Sequence, residues 1–284
     1  MEFTQINQFK IGHNIRGFFI CRSKNLCSAK NGNPYIDIML TDATGSIYGK
    51  LWDMVDYFKD KFEIGEPVAV KGIVTDFNEK KILTITKINK ASENQYKKYG
   101  YNLDGLIPSI QEPINSIWKK LLRLVNSIDE PYKSISLYIL DTNEEKIKTI
   151  PYELNSNPIR GSFLKRIFNL LQVAKKILPL YPNLDRDLIL SGILLSNIGS
   201  VNCYEDTLPI NLTEAGKLIG KTALGKDIVR ESSLKIKNFP KKILIKIEHI
   251  ILMHKEQITI NKSMIPEAVF INNLILLDEN INMF

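Results

Sequence analysis

The sequence predicts an α+β multidomain chain: a small all-β unit followed by an all-helical one. Two observations carry that expectation. Up to about residue 90 the apolar residues alternate with polar ones, as in half-buried strands, and beyond about residue 110 they recur at helical spacing. Between the two regimes, Lys90–Gly105 (KASENQYKKYGYNLDG) is polar, has no sustained period and reads as a linker. A length of 284 residues suits two domains at about 100–200 residues each. The expected division is 1–90, a linker over 91–110, and 111–284.

The strands follow in order. Asn14–Arg22 (NIRGFFICR) is the first, and Asn31-Gly32-Asn33-Pro34 is a turn in which Gly takes the unusual backbone angle and Pro fixes the exit. Tyr35–Thr41 then sets Ile36, Ile38 and Leu40 against Tyr35, Asp37 and Met39 on the opposite face. A second turn, Asp42-Ala43-Thr44-Gly45, leads to Ser46–Asp53, where Ile47 and Leu51 oppose Tyr48, Lys50 and Trp52. Met54–Phe62 changes period, with Val55, Phe58 and Phe62 at helical spacing. Glu66–Phe77 and Lys80–Asn89 are two further strands. Three strands, a helix and two strands is the order of an OB fold, a five-stranded Greek-key β-barrel.

Barrels of this kind commonly bind single strands on the face of strands 2 and 3, where bases stack on aromatic rings and lysines follow the phosphates. The candidates on that face are Tyr35, Tyr48, Lys50 and Trp52. Arg22, Lys24 and Lys30 are expected in the first loop region, and Lys80 and Lys81 in the loop between strands 4 and 5. The competing reading packs Trp52 beneath the short helix and leaves the lysines solvated. The charge of this half is close to neutral, so protein contacts stay open as its role.

Beyond the linker, helices are expected at Glu112–Ser127, Glu130–Asp141, Gly161–Leu178, Leu184–Leu195, Thr213–Arg230, Pro240–His254 and Pro266–Leu277. Thr213 is a good N-cap with Glu214 in the first turn, and Pro240 suits a first helical position.

Composition narrows the function classes. A net charge of +7 and a pI near 9.1 suit a polyanionic partner, or equally a Lys-rich coding bias. No apolar run approaches the roughly 18–20 residues needed to span a bilayer. The N-terminal stretch lacks the basic and apolar regions of a secretion signal. The three scattered cysteines, Cys21, Cys27 and Cys203, suit a reduced, cytoplasmic protein. With three histidines in all, His13, His249 and His254, a multi-histidine metal centre is nearly excluded by counting. His249 and His254 lie five residues apart on different helical faces, and His254 reads as a helix-end or core residue. Gly220-Lys221-Thr222 lacks the upstream glycine of a phosphate loop, that position being Ala215.

Local sequences then carry a resemblance. In the first half it rests on Gly32-Asn33-Pro34-Tyr35-Ile36-Asp37, Leu40-Thr41-Asp42-Ala43-Thr44-Gly45 and Lys50-Leu51-Trp52-Asp53. In the second it rests on Leu180-Tyr181-Pro182-Asn183-Leu184-Asp185-Arg186-Asp187-Leu188, Thr213-Glu214-Ala215-Gly216-Lys217-Leu218-Ile219-Gly220 and Met264-Ile265-Pro266-Glu267-Ala268. In their order and spacing these stretches resemble the YhaM-like 3′–5′ exoribonucleases, in which an OB fold precedes an HD-type metal phosphohydrolase domain. The resemblance covers nearly the whole chain and implies an HD-like helical domain.

Such a domain holds one or two divalent metals on His and Asp side chains, and the metals activate water and stabilise charge on the phosphodiester. This sequence departs at those positions. The early histidine falls on Arg166, the His-Asp pair on Ser196-Asn197, and the lysine after Ile-Gly on Ser200. The histidine after Gly220 is Lys221, a later His-His pair is His254-Lys255, and the last aspartate falls on Ile275, with Asp278 nearby. Ser, Asn and Ile are poor or impossible ligands for a tight transition-metal site. Protonated Arg and Lys cannot coordinate a cation and repel one.

The resemblance therefore implies a degenerate HD pocket with no metal, no cofactor and no catalytic residue. The expected function is a catalytically inactive relative that binds single-stranded nucleic acid, RNA before DNA, through its barrel. The helical domain would act as scaffold or homo-oligomerisation module, away from membranes. An active phosphodiesterase or exoribonuclease with a rearranged site, and a protein-binding adaptor, are the alternatives. Arg166, Lys221 and Lys255 could form a basic pocket for phosphate; otherwise the pocket has collapsed and they face solvent.

Overall fold

Five strands, β1 (Asn14–Ser28), β2 (Pro34–Asp42), β3 (Gly45–Leu51), β4 (Pro67–Phe77) and β5 (Lys80–Lys90), close into a barrel in the order β1-β2-β3-β5-β4. All neighbours are antiparallel except β3 and β5, which run parallel. This is the OB topology that the order of elements predicted. The computed structural model describes residues 4–77, 79–102, 105–152, 159–205, 210–253 and 264–282. They fall into two units that meet in sequence at Ser109 and Ile110.

The alternation read from the sequence sets the barrel wall. Ile36, Ile38, Leu40, Ile47 and Leu51 point inward with Phe19, Val68, Val70, Val74, Leu83 and Ile85, and Tyr35, Asp37, Met39, Tyr48 and Lys50 stay on the outer face. The β2–β3 turn is held by one buried carboxylate. Asp42 accepts hydrogen bonds from Thr44 N (2.7 Å), Thr44 Oγ1 (2.6 Å) and Gly45 N (3.1 Å), and from Ile6 N (2.8 Å) at the start of the chain. A buried carboxylate is tolerated because its acceptor capacity is filled.

The structure corrects three expectations in this unit. β1 continues six residues past Arg22, so Arg22 and Lys24 lie in a strand and not in a loop. A bulge between Cys21 and Ser23 lets β1 switch from pairing with β4 to pairing with β2. The segment after the bulge has one solvated face and is polar, which hid it from a hydrophobic pattern search. The helix expected over 54–62 is a single turn, α1 (Val55–Phe58). The linker is also built on the barrel: α2 (Glu93–Tyr96) and a 3₁₀ turn over Lys97–Tyr99 belong to a segment in which Ala91, Tyr101 and Leu106 pack on Phe18 and Ile20 of β1.

The second unit is helical: α3 (Ile114–Val125), α4 (Tyr132–Thr142), α5 (Glu144–Thr149), α6 (Ser162–Ile177), α7 (Arg186–Leu195), α8 (Ser200–Cys203), α9 (Glu214–Leu218), α10 (Lys221–Lys235), α11 (Lys241–Leu252) and α12 (Pro266–Asn282). Its centre is α7. Every residue from Leu188 to Leu195 is buried, against α4, α6, α11 and α12, as suits a helix that is apolar on all sides. Asp185 caps it, accepting from Leu188 N (3.0 Å) and from the Tyr132 hydroxyl (2.7 Å).

The single helix expected over Thr213–Arg230 is two. Thr213 Oγ1 accepts from Gly216 N (2.9 Å) and starts α9 as the sequence suggested, but Gly220 adopts φ +81° and turns the chain before α10. Only glycine takes that backbone angle without strain. Gly199 has a different reason to be glycine: a Cβ there would lie 2.5 Å from Gly225 N and closer still to the Lys221 carbonyl oxygen. The turn after α7 and the first turn of α10 thus touch backbone to backbone. Among the described residues no helix is long and apolar enough to cross a membrane.

Candidate nucleic-acid interface and the helical unit

The outer face of β2 and β3 gathers the residues expected there. Register pairs Ile36 with Leu51, Asp37 with Lys50 and Met39 with Tyr48, which sets Tyr35 across from Trp52. Their rings stack, with centroids 4.5 Å apart and planes 28° from parallel. Trp52 is 40 % exposed, so it does not lie beneath α1. The Lys50 ammonium lies 5.0 Å from the Tyr35 centroid, 5.5 Å from Trp52 and 4.6 Å from Phe77. Each distance is within cation–π range.

Phe77 was not among the expected residues. It ends β4, is 47 % exposed, and reaches Lys50 because β5 threads between β4 and β3. A large aromatic residue left at a hairpin end, beside Asn78-Glu79, was the available signal. Tyr48 is exposed on the same face.

The basic candidates divide. Lys30 and Lys80 are exposed. Lys81, also exposed, donates to the Phe9 carbonyl (3.3 Å). Lys24 is committed internally: its ammonium donates to Lys59 O (3.0 Å), Phe62 O (2.6 Å) and Glu63 Oε2 (3.1 Å) and lies over the Phe62 ring. Three donors with three acceptors leave none for a phosphate. Arg22 sits at the bulge, donates from Nε to Thr41 Oγ1 (3.1 Å), and lines a cleft of about 810 Å³ with Met39, Thr41, Ser46 and Ile64. Burial lowers the pKa of its guanidinium. Cys21, at the floor of the same cleft, is pushed up by burial to about 12 and is an unreactive thiol.

In the helical unit, Arg166 lies in a charge-compensated cluster. Arg166 on α6 places Nε 2.7 Å from Asp278 Oδ2 and a terminal nitrogen 3.4 Å from Glu279 Oε1, both on α12. Its guanidinium carbon stands 3.7 Å from the Tyr152 ring centroid. The Nε contact is close in distance but not aligned as a hydrogen bond, so it is an ion pair. The Tyr152 hydroxyl donates to Glu279 (3.4 Å), and the Lys221 ammonium lies 5.9 Å from the same ring. Arg166 is largely buried. It faces neither solvent nor an open basic pocket, because two carboxylates neutralise it.

Ser196 and Asn197 are buried at the end of α7. Ser196 Oγ donates to Ile193 O (3.1 Å), and Asn197 Oδ1 has no hydrogen-bond partner among the described residues. Ile275 is a core residue of α12. His249 Nε2 accepts from Ile265 N (3.3 Å), a packing role. His254 and Lys255 lie outside the described residues. Among the described residues, no group of three or more His, Cys, Asp or Glu side chains could hold a metal ion.

Residues 15–91 match the family model of an OB-fold nucleic acid binding domain. The chain is 24 % identical over 279 residues to the 3′-5′ exoribonuclease YhaM of Bacillus subtilis, covering 96 % of this chain and 87 % of the relative. It is 23 % identical over 251 residues to the YhaM of Shouchella clausii, covering 88 % and 77 %. Among solved structures, the second OB-fold domain of replication protein A from Methanococcus maripaludis aligns with 31 % of this chain and 94 % of its own, at 21 % identity and a TM-score of 0.27. The chain is thus a distant homologue of the YhaM exoribonucleases with an OB-fold nucleic-acid-binding domain.

Proposed function

We propose that this protein binds single-stranded nucleic acid, RNA in preference to DNA, on the outer face of β2 and β3, and that its helical unit does not cut the strand. The observation that carries the binding reading is the stack of half-buried Tyr35 on exposed Trp52 with the Lys50 ammonium among three rings. Bases stack on such rings whatever their sequence, and an adjacent ammonium meets the phosphate. Tyr48, Lys30 and Lys80 extend the same chemistry, and Arg22 offers a guanidinium at the bulge. The preference for RNA comes from the exoribonuclease relatives. A cytoplasmic location fits the three free thiols.

Loss of catalysis is supported by the Arg166–Asp278–Glu279 cluster. A buried guanidinium supplies the positive charge that a metal would bring, but it cannot activate a water molecule. The helical unit then serves as scaffold or homo-oligomerisation module. Similarity over nearly the full length to enzymes named as exoribonucleases favours one other reading, an active nuclease with a rearranged site.

The test is fluorescence anisotropy with a labelled single-stranded oligonucleotide across a salt series. Trp52→Ala is expected to weaken binding by about 5- to 150-fold, from roughly 1–3 kcal/mol per stacked base. Lys50→Ala is expected to reduce the salt slope by about 0.7. Wild-type affinity in both variants would refute the interface. Digestion of the oligonucleotide in the presence of manganese, by protein freed of contaminating nuclease, would refute the non-catalytic reading.

A further inference from the structure

The barrel unit carries a second basic and aromatic surface, at the opposite end of β5 from Lys80. Ten residues separate Lys80 from Lys90, on the order of 30 Å of strand. Here the segment after β5 folds back onto the barrel. Tyr96 and Tyr101 set their rings edge-on to Phe18, at 5.5 and 5.1 Å, and Ala91 and Leu106 join the same apolar cluster. This anchorage fixes α2 and the following 3₁₀ turn, which present Lys97, Lys98 and Tyr99 outward.

A cleft of about 650 Å³ opens between that turn and the barrel, lined by Lys61, Asn89, Lys90, Gln95, Lys98 and Tyr99 among others. Tyr99 is 56 % exposed, with the Lys98 ammonium 5.1 Å from its ring. The Lys61 ammonium lies 4.6 Å from the exposed Tyr57 ring. Lys90 is neutralised by Glu66. Lys61, Lys97 and Lys98 have no carboxylate partner among the described residues, so the cleft rim is cationic even with Glu93 in the first turn of α2.

Exposed rings paired with uncompensated ammonium groups, above a cleft lined by Asn89 and Gln95 amides, complement a phosphodiester chain with unpaired bases. We propose that this surface is a second contact zone for a single strand, holding phosphates at Lys61 and Lys98 and one base on Tyr99, beyond the nucleotides held at Tyr35 and Trp52. The inference rests on the single-strand reading above. It assigns a binding role to a segment that its composition marks as a mere linker. It also makes affinity depend on strand length.

The experiment uses the full chain and two labelled RNA oligonucleotides of about 4 and 16 nucleotides, the range of site sizes for one barrel. In the variant Lys61→Ala/Lys98→Ala/Tyr99→Ala, Kd for the long strand is expected to rise about tenfold or more, from one lost stacking contact. Its salt slope should fall by about 1.4, from two lost phosphate contacts. The short strand should bind as to wild type, whereas Trp52→Ala weakens both. Wild-type affinity and slope of the triple variant for the long strand would overturn the second zone, as would an equal loss for both lengths. If the wild-type protein binds neither strand, the single-strand reading itself fails and this inference with it. All three substituted residues are exposed, and an unchanged thermal midpoint verifies that the variant is folded.

Discussion

Replacing Arg166 with Met removes the ion pairs between α6 and the acidic turn of α12, while keeping most of the side chain's apolar volume. The guanidinium faces Asp278 at 2.7 Å and Glu279 at 3.4 Å and covers the Tyr152 ring. At an effective dielectric near 20, unit charges about 4 Å apart attract by about 4 kcal/mol. Desolvation of the arginine offsets part of this, but the variant also leaves two carboxylates side by side with no counter-charge. Breaking a fully buried pair costs about 3–5 kcal/mol. Asp278 and Glu279 keep 22 % and 20 % of their side-chain surface exposed. Water therefore recovers some of that loss, and the expected destabilisation is about 2–3 kcal/mol. For a helical unit of this size, that is a fall of about 5–10 °C in the thermal midpoint. Calorimetry at neutral pH measures it. The triple variant Arg166→Met/Asp278→Asn/Glu279→Gln should regain more than half of the loss, because the uncompensated charge is gone. A midpoint for Arg166→Met within about 1 °C of wild type would mean that this arginine is not a structural cation. The account of the degenerate pocket would then be wrong.

Two further outcomes follow from local geometry. Gly199→Ala forces a methyl group onto the backbone of α10 at Lys221 and Gly225; since backbone cannot rotate aside, urea denaturation should show a loss of about 3 kcal/mol, and an unchanged midpoint would show that the turn relaxes freely. Glu112 accepts from Lys120 and Lys165, both at 2.7 Å, and these bonds lower its carboxyl from about 4.5 to about 2. A carboxyl depressed on folding stabilises the fold above its unfolded pKa, and that stability is lost as pH falls through the folded one. The difference in midpoint between wild type and Glu112→Gln should therefore be constant above about pH 5 and shrink toward pH 2; a difference that does not change with pH would contradict the assignment.

Much of the barrel was legible because its signals are local. Ile36, Ile38 and Leu40 alternate with Tyr35, Asp37 and Met39, and a strand of period 2 must then put one set inside. The turn at Asp42–Gly45 announces itself by residue type, and α7 is apolar on every face over Leu188–Leu195, so it could only be a central helix. The polar half of β1 and the packed linker were less legible. Neither has a continuous apolar stripe: the first pairs by backbone at a bulge, and the second is held by scattered residues, Ala91, Tyr96, Tyr101 and Leu106.

What the sequence determined by itself was which face of each element is apolar, and hence a five-stranded barrel followed by a helical unit. The resemblance added an expectation, that Arg166, Ser196, Asn197 and Lys221 stand where a metal site would have its ligands and partners. What only the tertiary structure decided was how the charged and aromatic side chains meet. Lys50 reaches Phe77 because β5 lies between their strands. Lys24 is used up by carbonyls of the α1–β4 connection. Arg166 is neutralised by carboxylates more than a hundred residues away on α12. Periodicity encodes the direction in which a side chain leaves its own element. The partner it finds depends on how separate elements cross, which is fixed only when the whole core packs.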